Sequence, residues 1–213
     1  MRKFKYLIII AVGLIAGTVC GQEISNKMPK AITHPLSIVA IEGYDDYPEE
    51  IKKLITKAVL LTQMNLTYLY GSANPARGGM DCSGTIYHLL SGNAHGVIPR
   101  DANGMYEWVK KNGKLHEVTS SNLLSSQFSQ LKPGDLLFWS GTYAKGNGDT
   151  ITHVMLYIGR NKNHAPLMFG ASNGRTYQNK KMCGVSVFDF NLPNSEAKAR
   201  FVGYGCIPSI SCR

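Results

Sequence analysis

The sequence lacks the residue patterns that most often hold a metal ion or a nucleotide. It contains no CxxC and no HExxH pattern, and its His, Cys, Asp and Glu residues are not clustered at metal-ligand spacing. A glycine-rich phosphate loop and a dinucleotide fingerprint are also missing. We therefore predict a protein that needs no metal and no cofactor.

Internal repeats and low-complexity linkers are absent as well, and acidic residues are few. The length of 213 residues suits one domain, and 44% hydrophobic with 17% charged residues suits a compact core. There are 23 Lys and Arg against 14 Asp and Glu, for a formal charge of +9. Such a protein, if exported, is attracted to anionic wall polymers, lipid headgroups or acidic peptides, whereas export makes nucleic acid an unsuitable partner.

The N-terminus has the pattern of a secretory signal peptide. MRKFK is cationic, the following YLIIIAVGLIAGTV is apolar but short for a membrane span, and small residues come next. We predict a signal peptide over 1–21, an irregular lead-in over 22–45 and one domain over 46–213. The expected product is an exported monomer in the periplasm, envelope or medium, without a stable membrane span. A retained anchor and lipidation at Cys20 are the alternatives.

The pattern changes along the chain from helices to strands. Asp46, Pro48 and an apolar stripe predict a first helix, a second begins at Asp81 or Cys82, and a third covers about 103–111. Short β-rich runs follow the turn KPGD: LLFWS, THVMLYIG, LMFGAS, GVSVFDF and RFVGYGCI. This order predicts an α+β fold with N-terminal helices packed on a C-terminal antiparallel sheet.

Cys82 is the first candidate for chemistry. It lies in GGMDCSG, where Asp81 can cap a helix and leave the thiol at the helix N-terminus, a position that favours a thiolate. A buried structural cysteine or a disulfide partner is the alternative. The other cysteines of the mature chain, Cys183, Cys206 and Cys212, can form one pair whose identity the sequence leaves open.

A thiol nucleophile requires a base, and His153 is the best placed of six histidines. It opens the apolar run THVMLYIG directly after a polar loop, which predicts an imidazole at the start of a strand. A histidine hydrogen-bonded within a sheet is the alternative.

Five blocks in order resemble the NlpC/P60 family of cysteine peptidases, which have a compact papain-like fold. The blocks are LTYLYG, MDCSG, VIPRDANGMY, LKPGDLLFW and THVMLYIG, from about residue 51 to 190. The resemblance implies that Cys82 is the nucleophile and His153 its base. It also implies that Asp81, Ser83 and Tyr68 bind substrate, although a cap, a first-turn serine and a packed aromatic are alternative roles.

The resemblance leaves the third catalytic position open. Family members usually place a His, Asn or Gln there to orient the base. The hydrophobic pattern puts Gly170 at that position, while the distance from His153 gives His164 as the candidate. Ser172 or a backbone carbonyl are further options.

The function that the resemblance implies is hydrolysis of amide bonds in peptidoglycan stem peptides, with the D-glutamyl–diamino acid bond as the expected target. Two alternatives stay open: an amidase or acyltransferase acting on another amide or lipid, and a non-catalytic wall-binding module.

Overall fold

The computed structural model describes residues 29–92, 96–143, 150–208 and 210. The predicted signal peptide and the lipidation alternative at Cys20 lie outside these residues. Within them, no helix combines the length and the apolar character needed to cross a membrane.

In the described part of the chain, three α-helices precede the main sheet. They are α1 (Glu49–Thr62), α2 (Cys82–Leu90) and α3 (Ala102–Lys111). All three were predicted, but the expected cap of α1 is wrong. Pro48 is the N-cap, and Asp46 instead ends a short 3₁₀ helix, Tyr44–Asp46. Asp81 and Asp101 cap α2 and α3 by accepting the N–H of the third residue that follows each of them.

The main sheet has six strands, all antiparallel, in the order β3-β10-β4-β5-β6-β9. Its strands are β3 (Leu115–Glu117), β4 (Asp135–Ser140), β5 (Ile151–Arg160), β6 (Pro166–Ser172), β9 (Gly184–Asp189) and β10 (Arg200–Cys206). Two short ribbons complete the strands: β1 (Thr67–Tyr68) with β2 (Gly79–Met80), and β7 (Thr176–Tyr177) with β8 (Lys180–Lys181). The predicted α+β fold with an antiparallel sheet is confirmed.

Both faces of the sheet are covered, which explains why its strands read as continuous apolar runs. On one face Phe138 contacts Tyr106 of α3, with ring centroids 5.5 Å apart. The next residue, Trp139, points to the other face and contacts Phe190 and Phe201. Strand β5 is buried from its first residue to its ninth.

The start of β5 is held from two sides. The N–H of Ile151 donates to Oδ1 of Asn103 in α3, and the Thr152 hydroxyl hydrogen-bonds Thr142. The pairing of β4 with β5 shifts by one residue between Trp139 and Ser140, next to His153. Such a bulge redirects side chains locally. The orientation of His153 is therefore fixed by the sheet and by α3.

The described residues before α1 contain two short 3₁₀ helices, Ile38–Ala40 and Tyr44–Asp46, and they contact the sheet. Isolated bridges join Ile32 to Cys183 and Ile41 to Asn161. Cys183 and Cys206 are each disulfide-bonded, whereas Cys82 is a free thiol. The sequence left open which two of Cys183, Cys206 and Cys212 form a pair. Cys212 lies outside the described residues, so the pairing stays a prediction.

Candidate active site

Cys82 is the first residue of α2, and its side chain is buried. The residue is 6% exposed, and burial raises the pKa of its thiol to about 11. The Asp81 carboxylate raises this pKa further, while the backbone N–H groups of Val154, Ser83 and Cys82 itself lower it. The expectation that the helix start gives a thiolate is wrong for the free protein, because burial outweighs the N–H groups.

The Asp81 carboxylate is the centre of a buried network. Oδ1 accepts the N–H of Gly84 at 2.5 Å, and Oδ2 accepts the N–H of Gly71 at 2.7 Å. The Arg100 guanidinium donates to both oxygens, at 3.1 and 3.0 Å. The Ser83 hydroxyl donates to Oδ1 and accepts from Arg100. Asp81 and Ser83 thus hold the start of α2 and its Arg100 partner in place.

Gly84 is required by this network because nothing larger fits. A Cβ at this position would meet the carbonyl oxygen of Ser72 and would also approach Asp81 and Arg100. The glycine therefore lets the loop before β2 lie directly against the first turn of α2.

His153 is the third residue of β5 and lies opposite Trp139 in β4. It is 7% exposed, and its ring centroid is 5.7 Å from that of Trp139. Burial lowers the pKa of His153 well below its usual value, and the Arg175 cation lowers it further. In the free protein the imidazole is therefore neutral near pH 7.

A cleft of about 900 Å³ opens beside this pair. His153 lines it together with Tyr68, Tyr143, Ser172 and Arg175. Cys82 does not line the cleft. It is nevertheless close enough that a Cys82 thiolate would raise the pKa values of Tyr68, Tyr143 and Arg175, which do line it. In Tyr68 and Tyr143 it adds to the larger effect of burial, and in Arg175 it opposes burial. The structure thus brings Cys82, His153, Asp81, Ser83 and Tyr68 to one region.

The pairing of β5 with β6 locates two candidates for the third position, Gly170 and Ser172. The β5–β6 register pairs Leu156 with Phe169, and continuing it places Gly170 opposite Met155 and Ser172 opposite His153. A Cβ at Gly170 would meet the Met155 sulfur at 2.6 Å, so a side chain at this strand position would require Met155 to move. The group that hydrogen-bonds His153 comes from the turn after β6: the Arg175 Nε donates to Nε2 over 3.4 Å.

His164 does not reach His153. It lies in the turn after β5. The strand ends at Arg160, seven residues beyond His153, which is a distance of roughly 20 Å at strand rise. Its side chain is 75% exposed and pairs with Glu42 at 2.9 Å. The expectation that His164 orients the base is therefore wrong, because β5 extends to Arg160 before the chain turns.

Two arginines of the site were not assigned roles from the sequence. Arg100 lies in the quoted block VIPRDANGMY, so its position carried a signal. Arg175 follows Asn-Gly in a turn, and no sequence pattern distinguishes it from the other scattered cations. Among the described residues, no group of three or more His, Cys, Asp or Glu side chains is placed to hold a metal ion.

Comparison with known proteins identifies the family. The NlpC/P60 family model matches residues 65–184, which is more than half of the chain and includes Cys82 and His153. The chain belongs to the NlpC/P60 family, whose members are generally cell-wall peptidases and typically cysteine peptidases.

One similar solved structure is a Staphylococcus aureus subsp. aureus Mu50 protein described as similar to a lipoprotein of the NLP/P60 family. It shares 21% identity at a TM-score of 0.49, over 76% of this chain and 42% of that one. This chain therefore spans less than half the length of that protein. No curated protein matches the chain.

Proposed function

We propose that this protein is an exported cysteine peptidase that hydrolyses amide bonds in peptidoglycan stem peptides, with the D-glutamyl–diamino acid bond as its target. The observation that carries the proposal is a histidine at the start of β5 that lines the cleft, together with a free cysteine at the start of α2 that lies close to Arg175 of the same cleft. Membership of the family supports it. Export is proposed from the sequence of residues 1–21.

In the first half of the reaction, His153 accepts the Cys82 proton while Sγ attacks the carbonyl carbon of the scissile amide. The backbone N–H at the start of α2 is suited to stabilise the oxyanion. The imidazolium then protonates the departing amine, the C–N bond breaks, and a thioester on Cys82 remains.

In the second half, His153 removes a proton from water, and the hydroxide attacks the thioester carbonyl. The C–S bond breaks, the carboxylic acid product leaves, and the proton returns to Sγ. Because the free protein holds a neutral thiol and a neutral imidazole, proton transfer must accompany substrate binding or attack rather than precede it.

The test is digestion of purified peptidoglycan with identification of the fragments by mass spectrometry. Wild type should release fragments with a free amine on the diamino acid, and Cys82→Ala should release none. Ser129→Ala is a small substitution at an exposed position. It controls for effects of mutation and purification and should release the same fragments as wild type. Equal release by Cys82→Ala, or cleavage of glycan bonds only, would refute the proposal.

A non-catalytic wall-binding module is the second candidate. The observation that favours it is the Arg175 cation, which opposes the imidazolium that catalysis requires. Binding to purified sacculi without any thiol-dependent cleavage would support this candidate over the peptidase.

A further inference from the structure

Arg175 lies where a peptidase of this kind would contact its substrate. Its Nε donates to Nε2 of His153, and its Cζ lies 4.1 Å from the centroid of the Trp139 ring. It lines the same cleft as His153 and is half-buried. The stacking contact and the hydrogen bond together hold the guanidinium beside the catalytic pair.

The guanidinium has no carboxylate counter-ion in the described part of the chain. Among the described residues, no Asp or Glu forms an ion pair with Arg175. Asp189 also lines the cleft, but its recorded hydrogen bond is with the N–H of Gln178. Of the five N–H donors of an arginine, Nε–H alone has an acceptor among the described residues. A partly desolvated cation with unused donors is unfavourable unless a ligand supplies an anion.

Arg175 also restrains His153 in the free protein. An arginine is a donor only, so Nε2 of His153 must present its lone pair to it, and the neutral ring carries its proton on Nδ1. The residue that usually fills this place in Cys-His sites accepts a hydrogen bond from the base, which is the opposite role. A ligand that draws the guanidinium from Nε2 leaves the ring free to change its protonated nitrogen.

We propose that Arg175 binds a free carboxylate of the substrate next to the scissile amide, and so selects acidic stem peptides. The inference rests on the proposed function and narrows its substrate class. A γ-linked D-glutamyl residue keeps its own α-carboxylate, which is an anion of the required kind close to the scissile carbonyl. Bidentate guanidinium–carboxylate pairing then uses donors that the protein leaves free.

The first experiment compares two synthetic γ-D-glutamyl–diamino acid peptides that differ only in a free α-carboxylate or its primary amide. Wild type should prefer the acid by about 10- to 100-fold in kcat/KM, as expected for a charge-assisted hydrogen-bonded pair. Arg175→Gln should lose the preference, Arg175→Lys should keep part of it, and Arg160→Gln, at the far end of β5, should behave as wild type. The inference would be overturned if Arg175→Gln lowered kcat/KM equally for both peptides, or if this variant kept the full preference for the acid.

The second experiment does not depend on peptidase activity. Cys82 is alkylated with iodoacetate and with iodoacetamide, and the rates at this site are read by peptide mass spectrometry. The anionic reagent should be favoured in wild type relative to Arg175→Gln by about tenfold at low ionic strength, and less at high salt. If no peptide is cleaved but this ratio falls in the variant, the peptidase proposal fails and the carboxylate site stands. An unchanged ratio in a folded variant, checked by thermal unfolding, overturns the carboxylate site whatever the peptides show.

Discussion

The Cys82 thiol should titrate far above neutral pH in the free protein, and His153 should have little influence on it. Burial raises the pKa of this thiol from 9.0 to about 11. The two-unit rise corresponds to about 3 kcal/mol against the thiolate and to roughly 100-fold less thiolate at neutral pH. A cysteine–histidine ion pair would have the opposite effect, because the imidazolium would stabilise the thiolate.

The groups that face the thiol come from four parts of the structure. Asp81 precedes it in the chain, Tyr68 belongs to β1, Arg175 to the turn after β6, and Tyr143 to the loop after β4. Burial lowers the pKa of Arg175 to about 10, so this cation persists through neutral pH. Because His153 is neutral throughout that range, His153→Gln should leave the titration almost unchanged.

The assay is the rate of Cys82 alkylation by iodoacetamide between pH 6 and 10, measured at this residue by mass spectrometry. The rate should rise about tenfold per pH unit up to pH 10 without a plateau, in wild type and in His153→Gln alike. A plateau already present at pH 7 that disappears in His153→Gln would refute the reasoning, because it would reveal a preformed ion pair.

Three further predictions concern stability. Gly84→Ala should lower the free energy of unfolding by about 3 kcal/mol in urea titrations, because the new Cβ meets the Ser72 carbonyl. Arg100→Gln should cost about 1–3 kcal/mol in the same assay, because the buried Asp81 carboxylate loses two charge-assisted hydrogen bonds. Asp135→Asn should stabilise the protein at pH 8 by at most about 4 kcal/mol and have little effect at pH 4, measured by thermal unfolding. Burial raises the pKa of Asp135 to about 7, so its contribution is complete below about pH 4 and is lost as the pH rises through 7.

Matched substitutions at less constrained positions serve as controls for these three. Gly174→Ala meets only the end of the Lys181 side chain, Arg77→Gln removes an exposed cation, and Asp45→Asn removes an exposed carboxylate. Each should change the free energy of unfolding by less than about 0.5 kcal/mol. Site variants no more destabilising than their controls, or an Asp135→Asn effect equal at both pH values, would contradict the structural explanation.

The elements that carry the candidate catalytic pair were predictable because their signals are local. Asp81 before an apolar run predicts a capped helix, and His153 at the beginning of the apolar run THVMLYIG predicts a strand start. Both signals arise from backbone hydrogen bonding within a few residues of the functional side chain.

The third position was not predictable because pairing between strands decides it. Sequence spacing favoured His164, but β5 is long enough to carry that residue to the opposite end of the sheet. The hydrophobic pattern favoured Gly170, but the register sets it against Met155. Arg175 reaches His153 across a turn whose conformation has no distinctive sequence pattern.

The direction of the Cys82 pKa shift could not be predicted from the sequence either. A helix N-terminus alone favours the thiolate, whereas the observed direction depends on how deeply the surrounding loops bury Cys82. That depth comes from tertiary packing of β1, β5 and the Arg175 turn, which are far apart in the chain.

The proposed function requires that Cys82 attacks the scissile amide and carries the acyl group. The most direct measurement is mass spectrometry of the protein quenched in acid during turnover of a γ-D-glutamyl–diamino acid peptide. We expect a D-glutamyl acyl adduct mapped to Cys82, and we expect both this adduct and all amine release to be absent in Cys82→Ala. Amine release by a folded Cys82→Ala protein would contradict it.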